Sequence, residues 1–139
     1  MRIQKATEAE QGRITLHTVT TDGELLPTDD LKFPRHIEFY GDSLTCGYGT
    51  ESASGSEPFR PETENCRYTY AALTAARFNA DYSLISHSGR GLVRNYGDTV
   101  QLSDPTLTMS ARVFRAYDEE PFIDWDFENS TYRPDAIVI

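Results

Sequence analysis

The chain has 139 residues, 38% of them apolar and 25% charged, which is material for one domain with a core and excludes wholesale disorder. Its net charge of −9 comes with no basic run, so the electrostatic footprint of a nucleic-acid or membrane-surface binder is absent. No window approaches the roughly 20 apolar residues of a membrane span, and the first residues, MRIQKATEAEQGR, hold no signal-peptide core.

The N-terminal residues read as β-rich: Thr15 to Thr20 is β-prone and Asp22-Gly23 is a turn signal. Leu25 to Pro34, with prolines at 27 and 34, reads as a connector. His36 to Tyr40 is a strand that ends at Gly41. A long surface loop follows, marked by Gly47, Gly49, Ser52, Ser54, Gly55, Ser56, Pro58 and Pro61. Arg67 to Asn79 is Ala-rich and predicted helical, with Thr63 or Asn65 as its N-cap. Tyr82 to Ser86 is a second strand, followed by Gly89 and Gly91. Asp104-Pro105 reads as an N-cap and first helical residue, with Leu107, Ala111 and Phe114 on one helical face. The acidic stretch Asp118 to Glu128 carries Phe122, Trp125 and Phe127, and reads as a surface loop pinned by aromatics. Asp135 to Ile139 is a third strand, apolar enough for a sheet buried on both faces.

Strand–loop–helix–strand–loop–helix–strand predicts an α/β fold with a parallel sheet and helices on both faces. Functional groups in such sheets collect beyond the C-terminal strand ends, where Ser43 and Ser88 to Gly91 both fall. The cysteines, Cys46 and Cys66, are too few for a disulfide scaffold or a structural zinc site. They read as buried thiols, although a bridge between them is geometrically conceivable.

A serine hydroxyl needs a base within hydrogen-bond reach and donors for the developing oxyanion. Gly41-Asp42-Ser43 on a sharp strand-to-helix turn would expose the hydroxyl and aim the Ser43 N–H at that oxyanion. The G-x-S-x-G elbow is not present, because Thr45 holds the second glycine position. A tripeptide of this kind also occurs as an ordinary strand-ending turn. A dinucleotide-binding reading of Gly89-x-Gly91 fails because Arg94 stands where the third glycine belongs.

The blocks IEFYGDSLTCGYGTES and SHSGRGLVRNYG resemble the first two blocks of the SGNH, or GDSL, hydrolases. With FRPETEN and WDFENSTYRPDAIVI they resemble carbohydrate esterase family 2 in particular, over about residues 3–139. The resemblance implies a flavodoxin-like three-layer sandwich, here truncated, and a serine esterase that removes O-acetyl groups from plant cell-wall polysaccharide such as xylan or mannan. It makes Ser43 the nucleophile and first oxyanion donor, and Gly89 the second donor through its backbone N–H. Asp42, Tyr48, His87, Arg90 and Trp125 are possible substrate-lining residues. Residues 1–34 then read as the tail of an N-terminal β-sandwich plus connector, and 35–139 as the first part of the hydrolase domain. The partner is an acetylated polysaccharide or oligosaccharide, with no nucleic acid, membrane, cofactor or metal. A monomer outside the cell is expected.

The base is the open element. His17 lies in the N-terminal lead, and His36 stands at the far end of the first strand, roughly 20 Å from Ser43 at ~3.3 Å per residue. His87 ends the second strand and is the remaining contender. The resemblance places the base, and an oxyanion-hole asparagine, beyond Ile139. The expectation is a partial chain with little or no activity of its own. The rival readings are an SGNH lipase or thioesterase, and an inactive or carbohydrate-binding fragment.

Overall fold

The structure is a computed structural model that describes residues 3–27, 32–118 and 123–139. Strands β1 (Arg35–Gly41), β2 (Ala80–Ser86) and β5 (Ala136–Val138) form a parallel sheet in the order β2-β1-β5. The chain therefore steps to one side of β1 and later returns to the other. That reversal opens a crevice beyond the C-terminal ends of β1 and β5, the usual place for a site in an open α/β sheet.

Alternation along β1 sends Ile37 and Phe39 to one face, where they pack with Ala71, Ala75 and Ala80. Ala71 and Ala75 belong to α2 (Tyr70–Arg77), and their small side chains let the helix lie close on the sheet. Helix α2 is shorter than the predicted 67–79. Asn65 caps a separate 3-10 turn, Cys66–Tyr68, and the cap of α2 is Thr69, whose hydroxyl accepts from the Ala72 N–H at 3.3 Å. Asn79 just past the helix end adopts a left-handed φ of 50°.

Three further expectations change. Thr15 to Thr20 forms no strand and is exposed, because a β-prone run needs a neighbouring strand to satisfy its backbone. The predicted helix after Asp104 is broken: a 3-10 turn at Pro105–Leu107 is followed by the four-residue α3 (Met109–Arg112). Thr108 between them is extended, and its hydroxyl donates to the Pro105 carbonyl at 2.9 Å, competing with helical bonding. Leu107 and Phe114 are accordingly exposed, and Phe114 packs edge-on to Phe127. Third, β5 is not covered on both faces by the described residues: Ile137 is 56% exposed. Among the described residues β5 is the sheet edge, with β1 as its only neighbour.

The acidic stretch contributes a two-stranded antiparallel unit, β3 (Arg115–Tyr117) with β4 (Ile123–Asp124). Asp118 is held by Arg112 and Arg115 at 2.5 and 3.2 Å. Phe122 and part of the predicted connector, residues 28–31, lie outside the described residues.

The N-terminal segment does not stand apart from this unit. The Cys66 N–H donates to the Ala6 carbonyl at 2.8 Å, and the Glu8 N–H donates to a carboxylate oxygen of Glu64 at 3.1 Å. Glu8 itself is buried. Among the described residues no helix is long and apolar enough to cross a membrane.

Candidate active site

Strand β1 ends at Gly41, and Asp42 caps the single turn α1 (Ser43–Cys46) by accepting from the Leu44 N–H at 3.0 Å. The turn closes on Gly47 in the left-handed conformation, where a side chain would meet the backbone of Asn65. The Asn65 N–H in turn donates to the Gly47 carbonyl at 3.1 Å. Ser43 is thus the first residue of a turn pinned at both ends. Its N–H, like every N–H of a first helical turn, has no partner within the helix.

Gly89 comes from the neighbouring strand end. Gly41 pairs with Ser86, and the His87 N–H donates to the Gly41 carbonyl at 3.3 Å, so the two turns start side by side. Gly89 has φ +72°, a region glycine enters freely, and its N–H makes no hydrogen bond among the described residues. Its carbonyl is occupied by the Tyr96 N–H at 2.8 Å. Buried Asn95 organises the rest of the loop. Its side chain accepts from the Gly91 N–H at 3.2 Å and donates to the Leu107 carbonyl at 3.4 Å.

Ser43 and Gly89 line one cavity of about 590 Å³, together with Asp42, Tyr48, Ser88, Arg90, Gly91, Arg94 and Tyr96. Of the residues expected there, Asp42, Tyr48 and Arg90 are present. Tyr48 lies flat on Phe59, ring centres 3.8 Å apart at 13°. The Arg90 Nε is buried without a hydrogen-bond partner among the described residues. Asp42, Arg90 and Gly91 also border a second, mostly apolar cavity of about 760 Å³, lined by Tyr40, Thr45, Tyr70 and Ile137 among others.

His87 and Trp125 do not line the Ser43 cavity. The His87 ring is 1% exposed and faces the interior, with Nδ1 3.0 Å from the Ser88 carbonyl and 3.7 Å from Glu8, and Nε2 3.7 Å from Glu10 and 3.9 Å from Asp118. A histidine held among three carboxylates is a structural brace. Trp125 is drawn elsewhere by its N–H, which donates to the Phe114 carbonyl at 2.7 Å. His36 stays at the start of β1, beside Asp81 and edge-on to Tyr132.

Residues not foreseen from sequence are Tyr96, 92% exposed at the rim, the loop organiser Asn95, and Glu8. Only Tyr96 carried a signal, an aromatic just before a glycine in a glycine-rich loop.

One set of metal-ligating types converges among the described residues: Glu8, Cys46 and Glu64, with ligand atoms within 4.8 Å of one another. Burial pushes the Cys46 thiol well above its ordinary range. The nearby Lys5 ammonium supplies positive charge, and the Glu8 N–H occupies an oxygen of Glu64. Both cysteines are free and buried.

The arrangement puts a turn serine and two backbone N–H donors on one cavity, as acyl transfer requires. The chain is 39% identical over 143 residues to an acetylxylan esterase / glucomannan deacetylase of Cellvibrio japonicus, covering all of this chain and 37% of that protein. A structure of a Corynascus carbohydrate esterase family 2 enzyme with a carbohydrate-binding domain superposes with TM-score 0.78 at 31% identity, over 95% of this chain and 39% of that one. The chain is related to carbohydrate esterase family 2.

Cellulase/esterase CelE of Acetivibrio thermocellus is 36% identical over 137 residues, 97% of this chain and 16% of that protein. A family two carbohydrate esterase from Clostridium thermocellum, solved in complex with cellohexaose, gives TM-score 0.65 at 38% identity, over 76% of this chain and 30% of that one. The chain thus spans 16% and 37% of the length of these two curated relatives. No family model matches the chain.

Proposed function

We propose that the protein carrying this chain is a carbohydrate O-acetyl esterase that acts through an acyl-enzyme on Ser43. The observation that carries this reading is the shared cavity of Ser43 and Gly89, each with a backbone N–H that has no partner among the described residues. The Ser43 Oγ attacks the acetyl carbonyl carbon while a base removes its proton. The carbonyl oxygen becomes an oxyanion between the two N–H groups. Its collapse breaks the ester bond, the sugar hydroxyl leaves with the proton, and water repeats the sequence to release acetate. The base and a third oxyanion donor, an asparagine, are assigned to sequence beyond Ile139.

Acetylated xylan or glucomannan is the proposed substrate class, on the printed names of the relatives. Arg90 and Tyr48 are proposed to meet the sugar at the cavity rim, and the working form is a monomer outside the cell with no cofactor, metal, nucleic acid or membrane partner. Residues 1–34 are proposed to close an N-terminal β-sandwich and connect it to a hydrolase domain that starts near Arg35.

Substitution of Ser43 by alanine in the full-length protein tests the reading. Hydrolysis of 4-nitrophenyl acetate and release of acetate from acetylated xylan are expected to disappear. Retained turnover overturns it. A second reading, carbohydrate binding without turnover, draws on the open face of Tyr48 stacked against Phe59 at the same rim. Binding of oligosaccharide by an inactive full-length protein would favour it.

A further inference from the structure

The Glu8 side chain is 4% exposed, and burying a carboxylate is costly unless donors replace its water. Its Oε2 accepts from the Ser88 N–H at 2.7 Å, a contact between residues 80 positions apart. The same oxygen lies 3.4 Å from Cys46 Sγ and 3.7 Å from His87 Nδ1. Ser88 directly precedes Gly89, and Cys46 ends the single turn that begins at Ser43. One carboxylate oxygen therefore touches both supports of the oxyanion donors.

The Glu8 backbone is itself fixed. Its N–H is taken by Glu64 at 3.1 Å, the neighbouring Ala6 carbonyl accepts from Cys66, and Lys5 Nζ donates to the Glu8 carbonyl at 2.5 Å. The chain turns past Ser88 without a strand partner, so the Ser88 N–H needs an acceptor from elsewhere. Glu8 supplies it with a charge-assisted bond, of the strong and short kind. The turn is also held by the Arg90 N–H to the His87 carbonyl at 3.3 Å and the Tyr96 N–H to the Gly89 carbonyl at 2.8 Å, so loss of the Glu8 bond removes one of its supports and lets the Gly89 N–H shift.

Resting on the esterase reading above, we infer that Glu8 is a positioning residue that sets the spacing of the Ser43 and Gly89 N–H groups. It touches no substrate and reaches the reaction only through Ser88 and Cys46. Displacing a reacting group or donor by about 1 Å lowers turnover by about 100-fold.

The test uses the full-length protein with Glu8→Ala, Glu8→Gln and Ser43→Ala. Glu8→Ala is expected to lower kcat on 4-nitrophenyl acetate by roughly 10- to 100-fold with KM little changed. Amide exchange at Ser88 and Gly89 should quicken while β1 stays protected. Glu8→Gln keeps an oxygen for the Ser88 N–H, stands in should the alanine variant not fold, and is expected to recover most of kcat. Unchanged kcat in folded Glu8→Ala overturns the inference, as does a fall in kcat that merely tracks loss of folded protein. If Ser43→Ala stays active, the esterase reading fails separately. Exchange at Ser88 and Gly89 then decides for Glu8, and unchanged exchange there overturns it.

Discussion

Thr45 occupies the space that a side chain at Gly41 would need: a Cβ built on Gly41 collides with the Thr45 hydroxyl. Thr45 has nowhere to go. It is 1% exposed, and its hydroxyl shares a hydrogen bond with the Tyr70 hydroxyl at 2.9 Å. Strand β1 and turn α1 can approach this closely only with glycine at 41. Gly41→Ala is therefore expected to cost about 1–3 kcal/mol of stability through overpacking. It should also lower esterase turnover beyond what the folded fraction explains, because α1 carries Ser43. Urea unfolding and 4-nitrophenyl acetate kinetics on the full-length protein check both.

Gly89 and Gly97 form a matched pair. Both have positive φ, +72° and +81°, and both have room for a methyl group. Alanine at either position meets the same left-handed strain of about 1–2 kcal/mol. Of the two, only Gly89 lines the Ser43 cavity. Gly89→Ala should reduce kcat by tenfold or more, on the order of a displaced oxyanion donor, whereas Gly97→Ala should lower the melting temperature to a similar degree and keep its turnover. Equal kcat in the two variants would argue against the Gly89 N–H.

The alkaline limb of stability has a defined sign. Burial pushes the Cys46 and Cys66 thiols up, and burial with the hydrogen bond to Glu38 raises Tyr40 to about 12. These groups keep their protons in the folded chain at pH values where the unfolded chain releases them. Their contribution is complete below the ordinary thiol value, about 8.5, and is lost as pH climbs toward the folded values. Stability should fall from about pH 9 upward, less steeply in Cys46→Ala and Tyr40→Phe. Iodoacetamide at pH 8 should leave both cysteines unmodified until urea unfolds the chain.

Arg90 borders both cavities, and its buried Nε lacks a partner among the described residues. A charged donor in that state gains most from a ligand oxygen. Arg90→Ala is expected to raise KM for acetylated xylan by about tenfold, the size of one charge-assisted hydrogen bond, and by a smaller factor for 4-nitrophenyl acetate. Equal shifts for both substrates would assign Arg90 to the loop's fold.

The legible parts of the molecule were those set by short-range rules. The strand that ends at Gly41 and the Gly41-Asp42-Ser43 turn put Ser43 at a strand end, and the SHSGRG block after the second strand pointed to Gly89. The helix after Asp104 was misread because helical spacing of Leu107, Ala111 and Phe114 says nothing about a threonine hydroxyl that bonds its own backbone. Thr15 to Thr20 was misread because β-propensity does not supply a partner strand. The fate of His87 depended on Glu8, Glu10 and Asp118, which come from distant parts of the chain. No local pattern announces that a glutamate at position 8 will reach the amide of residue 88.

That reach redraws where the chain can be cut. A boundary at residue 34 follows the composition of the sequence, yet it would leave Ser88, Glu64 and Cys66 without the partners that residues 6–8 provide. The smallest heritable unit, whether moved between proteins by recombination or by a cloning primer, has to begin before Lys5 and carry the exposed 13–27 stretch along with it. A swap that respects only the visible strands would transplant the serine without its scaffold.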